Sequence, residues 1–351
     1  WFRGEKPAPV VNGTPIKIGA ILPLTGPIAS AGEFAKEGIE LAVEDLKAEG
    51  KAVEVSFEDY GYDSKNAVSV FNKLKTTSDP DALIVFGTNG AMPLSPLVNA
   101  DQLPMLGLLA AVNYSTLDDY TYRMFGSADF EAKFASDVLV DQLGKKKIAV
   151  MYLNNDYGQS ALTAFKKHIG DRATVVAEEG SAPGTADYRS QLTKIKATNP
   201  DGIFLATLYR EAGTILKQAK EMGINVPFMC GQPCDAPELF TTAGPAAEGL
   251  LVTAPTNKAN VDFIETYTKK YQQDFLSYIT VRHYDAIKVL SFVSEACESD
   301  DYSGPCLKKQ LDDVTNFPGL SYQINFDQNG DINDQFTIQI AKGGKYVPYQ
   351  Q

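Results

Sequence analysis

From residue 16 to 23 the chain reads Ile-Lys-Ile-Gly-Ala-Ile-Leu-Pro, an apolar run with the length and content of a strand buried on both faces. After the Gly26-Pro27 turn, Phe34, Gly38, Ile39, Leu41, Ala42 and Leu46 keep one helical face apolar, while Glu33, Lys36, Glu37, Glu40, Glu44, Asp45 and Lys47 cover the other. The alternation continues with a strand over 53–60, a helix from Ser64, a strand over 82–87, a helix after Gly90 and a strand over 105–109. This pattern predicts an open α/β sheet. Ligands of such sheets sit beyond the carboxyl ends of the strands, so topology alone places the loop from Thr25 to Gly32 at a binding site.

A second series begins after Phe125-Gly126-Ser127, with strands over 147–153, 174–178, 202–207, 227–229 and 250–254. Its helices start near Asp129, Tyr157, Asp187, Glu211 and Ala236. Beyond Pro255 the pattern turns helical over 261–275 and 278–297, then gives a strand over 322–327 and an antiparallel pair, 336–341 with 346–349. Two similar α/β units, each with its own parallel sheet, are expected.

The 351 residues exceed what one hydrophobic core usually supports, which agrees with two domains. A net charge of -12 argues against nucleic acid or an anionic membrane surface as partner, since both demand a basic patch. No stretch approaches the ~20 apolar residues of a membrane span. The start, Trp1-Phe2-Arg3 followed by Gly4-Glu5-Lys6-Pro7-Ala8-Pro9, reads as a spacer from which a removed anchor once led, although an arbitrary chain boundary fits it equally. Cys230, Cys234, Cys297 and Cys306 allow three pairings; two local disulfides are favoured, in keeping with an oxidising extracytoplasmic compartment. Their spacings and the two histidines, His168 and His283, match no metal-ligand pattern, so no metal or cofactor is expected.

Enzyme signatures are missing from the sequence: no G-x-S-x-G, no phosphate-binding G-x-x-x-x-G-K-[ST], no G-x-G-x-x-G and no H-E-x-x-H. His168 lies near a helix end and reads as a solvated residue, and His283, inside a helix, takes a structural or rim role. Binding candidates are therefore the loops at strand carboxyl ends. Thr88-Asn89-Gly90-Ala91 follows a buried strand, and its glycines and helix amides suit close approach of a ligand. Tyr157 opens a helix after another buried strand, where an aromatic ring can stack on a ligand. Tyr209 and Gln232 occupy the remaining loops of the second rim.

Several segments, taken in order, resemble the branched-chain amino acid-binding proteins of ABC importers, a type I periplasmic-binding family. They are Ile18-Gly19-Ala20-Ile21-Leu22-Pro23-Leu24-Thr25-Gly26-Pro27, the helix from Lys36 to Asp45, Glu58-Asp59, Asn155-Asp156-Tyr157-Gly158, Leu216 to Gly223, Ala246-Ala247-Glu248-Gly249, Tyr284-Asp285-Ala286 and Phe326 to Asp331. They span the chain from about residue 15 onward and are specific for the family rather than for a ligand. The resemblance implies two Rossmann-like lobes with parallel central sheets and a three-crossing hinge, the chain crossing near Gly126, Pro255 and Gln328 to Gly330. Lobe 1 is then 15–125 plus 255–328 and lobe 2 is 126–254 plus 329–351, after a spacer over 1–14. It also implies a ligand loop at residues 88–91, a ligand-contacting tyrosine at Tyr209 or, in an alternative register, Leu208, and an ammonium-binding glutamate at the position of Gln232.

The sequence departs from that pattern in four places. The family's hydroxyl anchor falls on Ala91, a second hydroxyl on Ala111 or its neighbour Ala110, a tyrosine on Ala31 and the glutamate on Gln232. A neutral amide in place of a carboxylate weakens binding of an ammonium, because an unpaired buried charge is costly. The expected protein is an extracytoplasmic solute-binding protein of a branched-chain-type importer, a monomer without catalysis, taking a small polar or aromatic organic solute and working with ABC permease subunits. The alternatives are a ligand-sensing ectodomain of the same fold and an amino-acid-binding protein whose ammonium site is rearranged onto Asp235 or Glu211.

If Cys297 and Cys306 are joined, closing that short loop constrains the unfolded chain by roughly 2–3 kcal/mol in the chain-entropy model, and residues 298–305 become a stapled surface loop. Peptide mapping under non-reducing conditions should recover Cys230–Cys234 and Cys297–Cys306. Four free thiols in protein from an oxidising compartment would overturn the pairing.

Overall fold

The computed structural model describes residues 13–111, 114–116, 118–255, 259, 261–273, 277–297, 302–332 and 336–350. These divide into two compact units, one built from 13–109, 114–125 and 259–332, the other from 110–111, 126–255 and 336–350.

The first unit opens with β1 (Ile16–Leu22), α1 (Ala29–Ala48), β2 (Val53–Asp59), α2 (Ser64–Thr77), β3 (Ala82–Phe86), α3 (Thr88–Asp101), β4 (Met105–Leu108) and β5 (Thr121–Arg123). Its sheet runs β2-β1-β3-β4-β5, with every pair parallel. Only Lys17 of β1 is exposed, which is why the strand reads as a continuous apolar run.

The second unit follows with α4 (Ala128–Ser136), β6 (Lys147–Leu153), α5 (Asp156–Ile169), β7 (Thr174–Ser181), α6 (Arg189–Ala197), β8 (Gly202–Ala206), α7 (Tyr209–Glu221), β9 (Phe228–Cys230), α8 (Glu238–Ala243) and β10 (Leu251–Pro255). The chain then returns to the first unit as α9 (Val261–Tyr271), α10 (Tyr278–Ser294), α11 (Gly304–Asp312) and the short strands β11 (Phe317–Pro318) and β12 (Gln323–Ile324). It ends in the second unit as β13 (Phe336–Lys342) and β14 (Lys345–Pro348). That unit's sheet runs β14-β13-β10-β9-β8-β6-β7, parallel from β10 to β7 and antiparallel at β13 and β14.

Several expectations are corrected. The third helix starts at Thr88 rather than after Gly90, because Gly87, at φ +96°, reverses the chain in a single residue. The strand expected over 322–327 shrinks to two residues, since its partner β11 is only two residues long. The strand at Lys147 has the expected bounds, whereas the one at Thr174 runs on to Ser181 across an irregularity in its pairing with β6. The helix expected over 261–275 ends at Tyr271, and 274–276 lie outside the described residues. The helix expected over 278–297 ends at Ser294. The stapled loop begins in residues 298–301, outside the described residues, and its end is not loop: Gly304 and Pro305 open α11. Both disulfides form, Cys230–Cys234 and Cys297–Cys306, each with Cα atoms 6.0 Å apart.

β5 and α11 escape the apolar pattern. Arg123 in β5 is 1% exposed and tolerable there because its Nε donates to Asp331 at 2.9 Å, while Ser115 donates to the same carboxylate and Tyr114 lies under the guanidinium. The backbone closes the same contact, with the Arg123 amide donating to the Gly330 carbonyl and the Ile332 amide to the Arg123 carbonyl.

His283 has no place on a rim. It is fully buried in α10, edge-on to Phe86 at 5.2 Å, with Nδ1 on the Ile279 carbonyl at 2.7 Å. Burial lowers its pKa to about 3, so it is neutral and structural. His168 stands at the end of α5, 3.0 Å from Asp129.

α1 packs on α10 through Gly38, where any Cβ would run into the Thr280 carbonyl oxygen. Gly38→Ala should therefore destabilise the protein by about 1–3 kcal/mol through overpacking. Urea denaturation would show a lower midpoint at unchanged slope; an unchanged midpoint would mean that the helices do not depend on this close approach.

Candidate functional site

In the first unit the carboxyl ends of β1, β2 and β3 are tied together by two side chains. The Asp59 carboxylate accepts from the amides of Leu24 (2.9 Å), Thr25 (3.2 Å) and Gly61 (2.9 Å) and from the Thr25 hydroxyl (2.6 Å), which shapes the turn between β1 and α1. Burial works to raise its pKa, but the donors led by Thr25 and Gly61 outweigh it and hold the carboxyl below its usual range. Tyr60 donates to the Phe86 carbonyl at 2.7 Å, fixing the strand end that precedes Gly87.

Thr88 and Asn89 are buried in the first turn of α3. The amides of Gly90 and Ala91, expected as ligand donors, instead reach back to the Gly87 carbonyl at 3.0 Å each. The amides that precede the helix's own bonding are those of Thr88 and Asn89. The Asn89 side chain donates weakly to the Tyr62 carbonyl at 3.4 Å and leaves its buried Oδ1 without a hydrogen-bond partner.

The second unit gathers the other candidates. Asn155 caps α5 by accepting from the Gly158 amide at 2.9 Å, which sets Tyr157 in the first turn with 4% of its surface exposed. Leu208 and Tyr209 are both buried at the start of α7, so both registers of that candidate lie at one helix N-terminus. Before them, the fully buried Thr207 hydroxyl has no hydrogen-bond partner. Gln232 sits in a single 3-10 turn after β9 that is closed by the Cys230–Cys234 disulfide and by the Cys234 amide on the Gly231 carbonyl at 3.0 Å. It is 3% exposed, and its Oε1 has no hydrogen-bond partner. Ala110 and Ala111, just beyond β4, are buried, and the Ala110 carbonyl accepts from the Ala128 amide at 2.6 Å.

One residue that sequence reasoning did not single out lies among these. Glu131, in the first turn of α4, is 3% exposed, and its Oε1 accepts from both the Gln232 amide and the Thr253 hydroxyl. A Cβ on Gly231 would stand 3.1 Å from that oxygen and 3.1 Å from the Tyr157 hydroxyl, so the carboxylate and the phenol border the same glycine. Of the two carboxylates weighed as cation partners, Glu211 accepts from the Gly184 amide at 3.1 Å and the half-buried Asp235 follows the 3-10 turn.

Burial raises the Glu131 carboxyl to about 7 against the pull of Thr253 and the Gln232 amide, and desolvation raises Asp235 to about 7 as well. Between the ordinary carboxyl value of 4.5 and about 7 the folded chain keeps a proton on Glu131 that the unfolded chain has released. Stability from this group is thus complete below 4.5 and is lost as pH rises to about 7. Denaturation midpoints should fall across that window, and less so in Glu131→Gln; parallel profiles for the two proteins would show that Glu131 titrates as it does in water.

Among the described residues no helix is long and apolar enough to cross a membrane, and no cluster of three or more His, Cys, Asp or Glu could hold a metal ion.

The sequence matches the family model described as periplasmic binding protein over residues 15–345. It is 26% identical over 349 residues to a leucine-, isoleucine-, valine-, threonine- and alanine-binding protein of Pseudomonas aeruginosa, an alignment covering 92% of this chain and 89% of that one. It is likewise 26% identical to a Leu/Ile/Val-binding protein homolog of Brucella melitensis, covering 95% and 93%. Among solved structures, a leucine-binding protein from Thermotoga maritima superposes with a TM-score of 0.88 at 26% identity, covering 95% of this chain and 98% of that one. A fatty acid ABC transporter substrate-binding protein from Thermomonospora curvata shares the fold with a TM-score of 0.84 at 23% identity, covering 99% and 94%. Two α/β units with parallel sheets, the order of their elements and a family match over almost the whole length lead to one conclusion: this chain belongs to the periplasmic binding protein family.

Proposed function

We propose that this chain is the extracytoplasmic solute-binding component of a branched-chain-type ABC importer, acting without catalysis and without a cofactor. It captures a small polar or aromatic organic solute on the loops at the carboxyl ends of its strands and delivers it, as a monomer, to permease subunits.

The observation that carries this reading is the convergence of Tyr157, Tyr209 and Gln232 on the carboxyl edge of β6, β8 and β9, each less than 5% exposed. Two aromatic rings suit stacking on an organic solute. The buried Gln232 Oε1, without a partner in the protein, suits a donor on that solute. On the first unit, Thr88 and Asn89 supply a helix N-terminus and a second orphaned acceptor, Asn89 Oδ1. Ala31, Ala91 and Ala111 supply no polar group at the positions where the family pattern has hydroxyls, and Gln232 stands where it has a carboxylate. A plain aliphatic amino acid of the kind named for the relatives is therefore not the default solute.

Protein purified without refolding and then denatured should release a small organic molecule detectable by mass spectrometry. Tyr157→Ala and Tyr209→Ala should each weaken its rebinding about tenfold or more, in line with the loss of a buried aromatic contact. Protein that releases nothing and shows no thermal shift with any member of a metabolite library would overturn solute capture. Tight binding of leucine by the wild type would overturn the departure from aliphatic amino acids.

A further inference from the structure

We propose that Glu131 is the residue that selects the ligand, by taking a cationic nitrogen of the solute at the edge of the second sheet. The inference rests on the solute-capture reading and adds the chemical class of the ligand.

Glu131 is a carboxylate buried to 3% exposure, yet among the described residues no lysine, arginine or histidine pairs with it. Its protein partners are a backbone amide, that of Gln232, and a hydroxyl, that of Thr253, both on Oε1. Two neutral donors on one oxygen leave the group short of the pairing that a buried carboxylate requires.

The surroundings point the same way. The neighbouring Gln232 Oε1 is a buried acceptor without a hydrogen-bond partner, and the buried Thr207 hydroxyl, at the end of the adjacent strand, also lacks one. Tyr157, a ligand-stacking candidate, reaches with its hydroxyl to the same glycine that Glu131 borders. Acceptors collected beside an aromatic ring fit a solute that brings donors and positive charge. The carboxylate that the family pattern places on the turn at Gln232 is thus carried here by a helix and meets that turn through its backbone.

A purely structural alternative exists, in which Glu131 only ties the turn at Gln232 to α4 and β10. Two variants separate the roles. Glu131→Gln keeps an oxygen to accept from Gln232 and Thr253 but removes the charge, whereas Thr253→Val removes one tie and keeps the charge. Calorimetry would compare phenylalanine and phenethylamine with 3-phenylpropanoate, and leucine with 4-methylpentanoate, so that each nitrogen-bearing probe has a nitrogen-free counterpart. Mass spectrometry would give the composition of the molecule released from the wild type.

The expected result is that a nitrogen-bearing probe or the released molecule, itself carrying a basic nitrogen, binds the wild type and loses at least tenfold in Glu131→Gln, while Thr253→Val loses threefold or less. Nitrogen-free probes binding as tightly as their counterparts, a released molecule without basic nitrogen, equal binding by wild type and Glu131→Gln, or equal losses in the two variants would each overturn the role of Glu131 and leave solute capture standing. Protein that neither binds a probe nor releases a molecule would overturn both.

Discussion

Parallel pairing governs this molecule. Two parallel neighbours cannot be joined by a hairpin, so the chain must leave each strand at its carboxyl end, cross back, in most cases through a helix, and re-enter at the amino end. Five parallel strands in one sheet and the run from β10 to β7 in the other therefore send their exits to one edge each. Tyr157 after β6, Tyr209 after β8 and Gln232 after β9 are all found on such exits. The helices that follow bring N-termini, and with them unbonded amides, to the same edge.

An edge assembled from short turns needs local fixing, and the two units do it differently. The first uses a charge, since Asp59 gathers three amides and a hydroxyl and holds the β1 exit beside the β2 exit. The second uses covalent closure, the Cys230–Cys234 disulfide bracketing the 3-10 turn of Gln232, with Tyr346 of β14 donating to the Cys234 carbonyl. Glu131 then joins that turn to α4 and β10. The Asp59 carboxylate is held below its usual range by the donors around it, whereas Glu131 is raised to about 7 because two neutral donors do not offset its burial. The first carboxylate is satisfied by four donors of the fold, whereas the second has two, both on one oxygen.

Much of the fold is legible in the chain because buried parallel strands write themselves as apolar runs. The strands at Ile16 and Lys147 stand out for that reason, and the amphipathic face of α1 does so by its helical period. What stays hidden is what lacks a local signal. β5 is three residues ending in a buried arginine whose partner, Asp331, lies 208 positions later. α11 opens with Gly-Pro-Cys, a start that reads as a turn. The first turn of α3 was masked by Gly87, which compresses a loop into one residue of positive φ.

By itself the sequence determined the class of the protein: alternating strand and helix periods, two series of them, turn residues at the strand exits and an ordered set of family segments. These signals are local, and backbone period and turn chemistry act over a few residues. The sequence also determined which exits carry aromatic and amide side chains. The tertiary structure alone decided which charges meet them. A glutamate in the first turn of a helix looks like any solvated capping residue, and Glu131 differs only because Gln232, 101 positions away, and Thr253, 122 positions away, fold onto it. Desolvation and pairing depend on distance in space, so the chemistry of the site becomes readable only once the sheet has brought its exits together.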